Sequence, residues 1–152
     1  MLEIGVIVDQ LKPDSNSFNL VNCLNILSKK HSCFLFILEH GDPKITKLAN
    51  FSILNMESLF AFKGKLIATG LSNAQACNNS LYASSKYLYL NELEWMNLDK
   101  VSHYQLKNIL IDDELNLIAK SKSYDKILSK LFKDTSGIVY NWDHEELLEV
   151  IK

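Results

Sequence analysis

Arginine is absent from this sequence: all 16 of its basic residues other than histidine are lysine. The planar guanidinium is the preferred bidentate ligand for carboxylate and phosphate, so its absence weighs against phosphoryl transfer and base-specific reading of DNA. A chain rich in Lys, Asn and Ile with no Arg is also what an AT-biased genome, such as a small phage's, encodes. Charge is scarce too. The formal net charge is −2, which leaves no basic field to hold nucleic acid or an anionic membrane. Five glycines and two prolines are too few for a disordered or fibrous chain. The three cysteines, Cys23, Cys33 and Cys77, are odd in number and match no zinc spacing. They read as reduced, buried thiols of a cytoplasmic protein. No apolar run reaches the roughly 18 residues of a membrane span. The opening "MLEIGVIVDQ" is too short and too acidic for a signal peptide. Neither G-x-G-x-x-G, nor G-x-x-x-x-G-K-[ST], nor a G-x-S-x-G elbow occurs. No cofactor and no metal is expected.

What is present points to an α/β fold in a single domain, 1–152. "EIGVIVD" and "CFLFIL" are continuous apolar runs of the kind that form strands buried on both faces. Between them a helix is predicted from about Ser17 to Lys30, with Asp14, Ser15 or Asn16 as its cap and Leu20, Cys23, Leu24 and Leu27 as its apolar stripe. Strand, helix, strand makes a βαβ unit and implies parallel pairing. Further strands are predicted in "FSILN", "KLIAT", "KYLYL", "LNLIAK" and "GIVYN". Helical stretches alternate with them, including "SYDKILSKLF" with Ile127, Leu128 and Leu131 inward and a last helix "HEELLEVI". The expected architecture is a three-layer sandwich: a mostly parallel sheet of about six or seven strands with helices on both faces.

In such a sheet, ligands bind outside the carboxyl ends of the strands. The residues that follow the predicted strands are therefore the candidates. They are Asp9; Glu39 and His40; Thr69 and Gly70; Asn91, Glu92, Glu94 and Trp95; Ser121; and Asn141 to Asp143. Ser15 joins them from the first loop. The set is polar with an aromatic, suited to a sugar or another polar small molecule, and equally to ordinary solvated loops. His40 is the acid–base candidate, since histidine titrates near neutrality and this one lies between Glu39 and Asp42. Glu92 and Glu94 would share a face if their strand continued, and would otherwise be solvated acids. Asp112-Asp113-Glu114 has the composition of a metal cluster, but consecutive side chains diverge, as in a polar turn.

The order of segments resembles the N-terminal, acceptor-side domain of two-domain GT-B glycosyltransferases. "IGVIVDQLKPDSNSFNLVNCLNILSKKH" resembles its opening strand, loop and helix. "LIATG" with the next helix, "YLYLNELEW" and "LNLIAKSKSYDKILSKLF" resemble later units. "VYNWDHEEL" is similar to the asparagine–x–x–aspartate crossover into the second domain, one residue shorter and without the usual glycine. The resemblance implies a Rossmann-like fold and an acceptor half-site at the strand ends. It also implies that the nucleotide-sugar would be held by a separate donor-domain protein, so that the chain binds a polar ligand or a protein partner and is not catalytic alone. Loss of catalysis and a truncated relic are the other outcomes it implies. Two further readings stay open: a small independent enzyme using His40 with a carboxylate, and an interaction module, as a homodimer or heteromer, anchored by exposed Trp95 and Trp142.

Overall fold

In a computed structural model of the chain, residues 1–93 and 103–152 are described, with 103–105 described in backbone only. The strands are β1 (Glu3–Leu11), β2 (Ser32–Gly41), β3 (Ser52–Leu54), β4 (Lys65–Ala68), β5 (Ser85–Leu90), β6 (Leu115–Ala119) and β7 (Gly137–Ile138). The helices are α1 (Ser15–Leu27), α2 (Pro43–Thr46), α3 (Leu71–Asn78), α4 (His103–Ile111), α5 (Lys122–Leu131) and α6 (His144–Ile151). A 3₁₀ turn, Met56–Ala61, joins β3 to β4. The strands form one sheet in the order β3-β2-β1-β4-β5-β6-β7, and every pairing is parallel. This is the Rossmann-like α/β sandwich expected from the alternating segments.

Side chains along each strand alternate between two cores. Ile4, Val6 and Val8 of β1, Leu35 of β2 and Tyr87 and Tyr89 of β5 face α1, α2 and α6. Ile7, Phe36, Leu66, Leu88, Leu90 and Leu117 face the 3₁₀ turn and α3 to α5. The alternating "KYLYL" thus sends its tyrosines to one core and its leucines to the other. Gly5 of β1 lies under two rings. A Cβ there would come within 2.9 Å of Phe62 and 3.0 Å of Phe36, so the close aromatic packing on β1 requires glycine.

Helix α1 begins at Ser15 because Asp14 caps it, accepting from Ser17 N at 2.8 Å, and it ends before Lys29-Lys30. Two sequence expectations shift. Leu131 is 58% exposed, because the stripe turned inward is Tyr124 and Leu128 of α5 with Phe132 at its C-terminal cap, spaced four apart. Strand β7 is only Gly137–Ile138. Val139 stays buried, but Tyr140 leaves the sheet at a turn and is exposed. No helix among the described residues is long and apolar enough to cross a membrane.

All three thiols are free and buried. Burial pushes Cys23 up to about 12 from an ordinary 9.0, and Cys33 and Cys77 up to about 11. Burial likewise pushes the Tyr89 phenol from 10.0 up to about 12. The unfolded chain releases these protons from about pH 9 while the folded chain holds them, so stability falls as pH rises from about 9 towards 12 and is fully retained below. A melting series across that range should show the decline, with Tyr89→Phe flattening its upper part. A flat series would show that these groups are not buried in the native state. At pH 8, iodoacetamide should label the thiols only once denaturant is added.

Candidate functional site

The strand order reverses between β1 and β4. From β1 the chain moves outward to β2 and β3; from β4 it moves the other way. The connections part at that point and leave a crevice above the strand ends. The crevice has a volume of about 370 Å³. Its floor is the end of β1, from Val8 to Leu11, with Thr69 and Gly70 after β4. Its walls are the first turns of α1 and α3. Between Val8 and Gln10 the register slips: β1 advances two residues while β2 advances three. This bulge on β2 lies opposite Asp9. Glu39 lines the crevice and His40 does not.

Asn73, at 1% exposure, ties the two strand ends together. Its Oδ1 accepts from Thr69 N at 2.9 Å, and its Nδ2 donates to Asp9 Oδ1 at 3.2 Å and to Thr69 Oγ1 at 3.3 Å. Thr69 Oγ1 donates in turn to Ile7 O at 2.8 Å. The Ser72 hydroxyl donates to the other oxygen of Asp9. Gly70, the N-cap of α3, gives that helix no side-chain cap. The Asp9 carboxylate thus stands where the helix dipole favours an anion. At the opposite wall Asp14 caps α1, and Ser17 Oγ accepts from Lys12 N at 3.2 Å. Each helix start in the crevice therefore already holds a carboxylate of the chain itself. Among the described residues around the crevice stand three carboxylates, Asp9, Asp14 and Glu39, against the single ammonium of Lys12. The Gln10 amide donates to Glu39 across the rim.

Of the sequence candidates, the fold brings Asp9 and Thr69 together with Glu39. Ser15 is exposed at the first position of α1 and lies outside the lining. His40 is exposed and makes no ion pair among the described residues. Glu92 is exposed in the bend after β5. Ser121 caps α5, accepting from Tyr124 N at 3.3 Å, at the end of a strand two places from β4. Trp95 and Glu94 lie outside the described residues. Trp142 is not an exposed anchor: it is 2% exposed, within the core. Asp112 forms a turn, its Oδ1 accepting from Glu114 N and its Oδ2 from Asn78. No group of three potential metal ligands occurs among the described residues.

Sequence reasoning did not single out Asn73, Ser72, Ser17 or Lys12 as site residues. The available signal was positional: polar residues in the first turn of a helix that follows a strand, "TGLSN" and "PDSNS". Other depressions lie among the described residues, two of them away from the crevice. One is at the opposite end of β5, where the Lys86 ammonium is engaged by Asn78 O at 2.6 Å and Glu114 at 3.3 Å; the other is a shallow aromatic groove beside Phe34 and Phe62. No protein-family model, no curated protein and no solved structure matches this chain.

Proposed function

We propose that the chain is a glycosyltransferase-like, acceptor-side domain whose crevice between β1 and β4 binds a small, polar, sugar-like molecule. The observation that carries this reading is the placing of Asp9 and Asp14 at the two helix starts. A phosphate would have to displace or face these carboxylates, and no arginine exists to offset them. A polyol meets no such opposition, because its hydroxyls donate to carboxylate oxygens. Asp9 is engaged by Ser72 and Asn73, which suits a binding wall better than a free general base. On this reading a nucleotide-sugar is held by a separate donor-domain protein.

The test is a titration of the ¹⁵N-labelled chain with glucose, galactose and mannose, and separately with UDP and inorganic phosphate. The sugars are expected to shift the amide signals of Asp9, Thr69 and Ser72, and the anions to leave them in place. Glu39→Gln keeps an acceptor for Gln10 and removes a charged acceptor from the rim. It should weaken sugar binding by about 10-fold. Saturable binding of UDP in the crevice, with no response to sugars, would overturn the reading.

A further inference from the structure

Asn16 and Trp142 are 126 residues apart in the chain and meet beside the crevice. Trp142 sits in a tight turn closed by Asp143 N donating to Tyr140 O at 2.9 Å. Both central residues are left-handed, Asn141 at φ 47° and Trp142 at φ 61°. Asparagine adopts this region readily, but a bulky side chain there is strained and persists only where its surroundings over-determine it. Here they do. The indole packs 4.3 Å from the Tyr89 ring, and the Tyr89 hydroxyl donates to Val139 O at 3.0 Å.

What the strained turn secures is the direction of one N–H. The indole Nε1 donates to Asn16 Oδ1 at 3.0 Å. An indole nitrogen is a donor only, so the amide oxygen must face it and Nδ2 must take the other branch. Asn16 lines the crevice, and its Nδ2 has no hydrogen-bond partner among the described residues. The carboxylates around it offer acceptors, whereas a sugar also needs donors for its oxygens.

We infer that Asn16 contacts the ligand, its Nδ2 donating to an uncharged hydroxyl or carbonyl oxygen, and that Trp142 is the positioning residue that fixes this amide. The inference rests on the crevice being a polar-ligand site and adds a residue that supplies an uncharged donor. Asn16 held by Trp142 presents two N–H bonds in one orientation, so it selects for the position of an oxygen on the ligand.

The experiment is NMR of the full labelled chain, first without ligand and then with glucose, galactose and mannose. In the wild type, Asn16 should hold one χ1 rotamer and the Trp142 indole N–H should be protected from exchange. Trp142→Phe keeps an aromatic ring and removes the donor. Asn16 should then average over rotamers, and sugar affinity should fall by about 3- to 10-fold. Asn16→Asp keeps an acceptor for the indole and replaces Nδ2 by oxygen. The indole should stay protected while sugar affinity falls at least about 10-fold. Retention of a single Asn16 rotamer in Trp142→Phe would overturn the positioning role. Wild-type affinity in Asn16→Asp would overturn the contact. If Trp142→Phe fails to fold, Asn16→Ala reads the same bond from the other side, through loss of indole protection; an indole that stays protected there would again overturn it. If no sugar binds the wild type, the contact falls with the reading it rests on, while the ligand-free rotamer comparison still decides the positioning role.

Discussion

Trp142→Ala is expected to lower the unfolding free energy by about 3–5 kcal/mol, a range typical of deleting a buried aromatic side chain. For a chain of this size that corresponds to a fall in melting temperature of roughly 6–20 °C. Three losses combine. The indole is 2% exposed and packs in the core that also holds Leu147 and Ile151 of α6, so its removal leaves a cavity under that helix. The ring contact with Tyr89 at 4.3 Å goes with it. So does the bond to Asn16, which joins the last turn of the sheet to the first helix. Alanine brings no relief of the backbone, since φ 61° remains unfavourable to a side chain that has a Cβ and no polar group to bond locally. Trp142→Gly should therefore be no less stable than Trp142→Ala, the reverse of the usual order, because glycine adopts the left-handed region without strain. Denaturant titration of both variants decides the matter. A loss below about 1 kcal/mol for Trp142→Ala would contradict the packing described.

The strands were legible where burial on both faces leaves a continuous apolar run, as in "EIGVIVD" and "CFLFIL", or where large side chains alternate, as in "KYLYL". Ser121 was legible as a cap, since the cap is a local bond three residues long; for α1 the sequence offered Asp14, Ser15 or Asn16 and a start near Ser17, and the structure selects Asp14 with a start at Ser15. The inner face of α5 was less so. Ile127 and Leu131 are apolar, but the sheet below turns Tyr124, Leu128 and Phe132 inward, and only tertiary placement chooses between two overlapping stripes. Strand β7 was read too long, because Tyr140 has the composition of a strand residue, while of the two left-handed residues after it only Asn141 favours that region and Trp142 carries no such mark. For the same reason Trp142 was read as an exposed anchor, although the turn folds it inward.

The site was half legible. Asp9 lies near the end of β1 and Thr69 follows β4, and the rule that ligands gather at strand ends finds them. That rule cannot say which strand ends are neighbours. Asp9 and Asn73 are 64 residues apart, and their hydrogen bond exists only because β4 returns beside β1 after β2 and β3 have been laid down on the far side. His40, Glu92 and Ser121 satisfy the same rule on other strands, and the fold leaves them dispersed. Asn16 needed still more: its place in the lining depends on the first turn of α1, and its orientation on a tryptophan at the far end of the chain.

Asn73→Asp should cost about 3–5 kcal/mol at neutral pH, more than Asn73→Ala, because a second carboxylate against Asp9 can be buried only by holding a proton that the unfolded chain releases. The Nδ2 that now donates to Asp9 Oδ1 at 3.2 Å becomes an oxygen at the same place. Thr69 N keeps its acceptor, so the damage lies in the carboxylate pair and in the lost donor to Thr69 Oγ1. Two carboxylates this close cannot both ionise, so the folded variant must keep a proton on the pair. The unfolded variant has released that proton by neutral pH. With fewer protons on the unfolded state, stability falls as pH rises above the ordinary carboxylate range near 4, and goes on falling until the folded pair gives up its proton. The variant should therefore recover towards Asn73→Ala as pH is lowered through about 4. Asn73→Ala lacks this dependence. It leaves Thr69 N without its acceptor, at about 1–3 kcal/mol, while half-buried Asp9 keeps the Ser72 hydroxyl as a donor. Paired denaturation curves at pH 7 and pH 4 separate the two cases. Equal stability of both variants at pH 7 would mean that Asn73 does not face Asp9, and the crevice would lose the bond that joins its two sides.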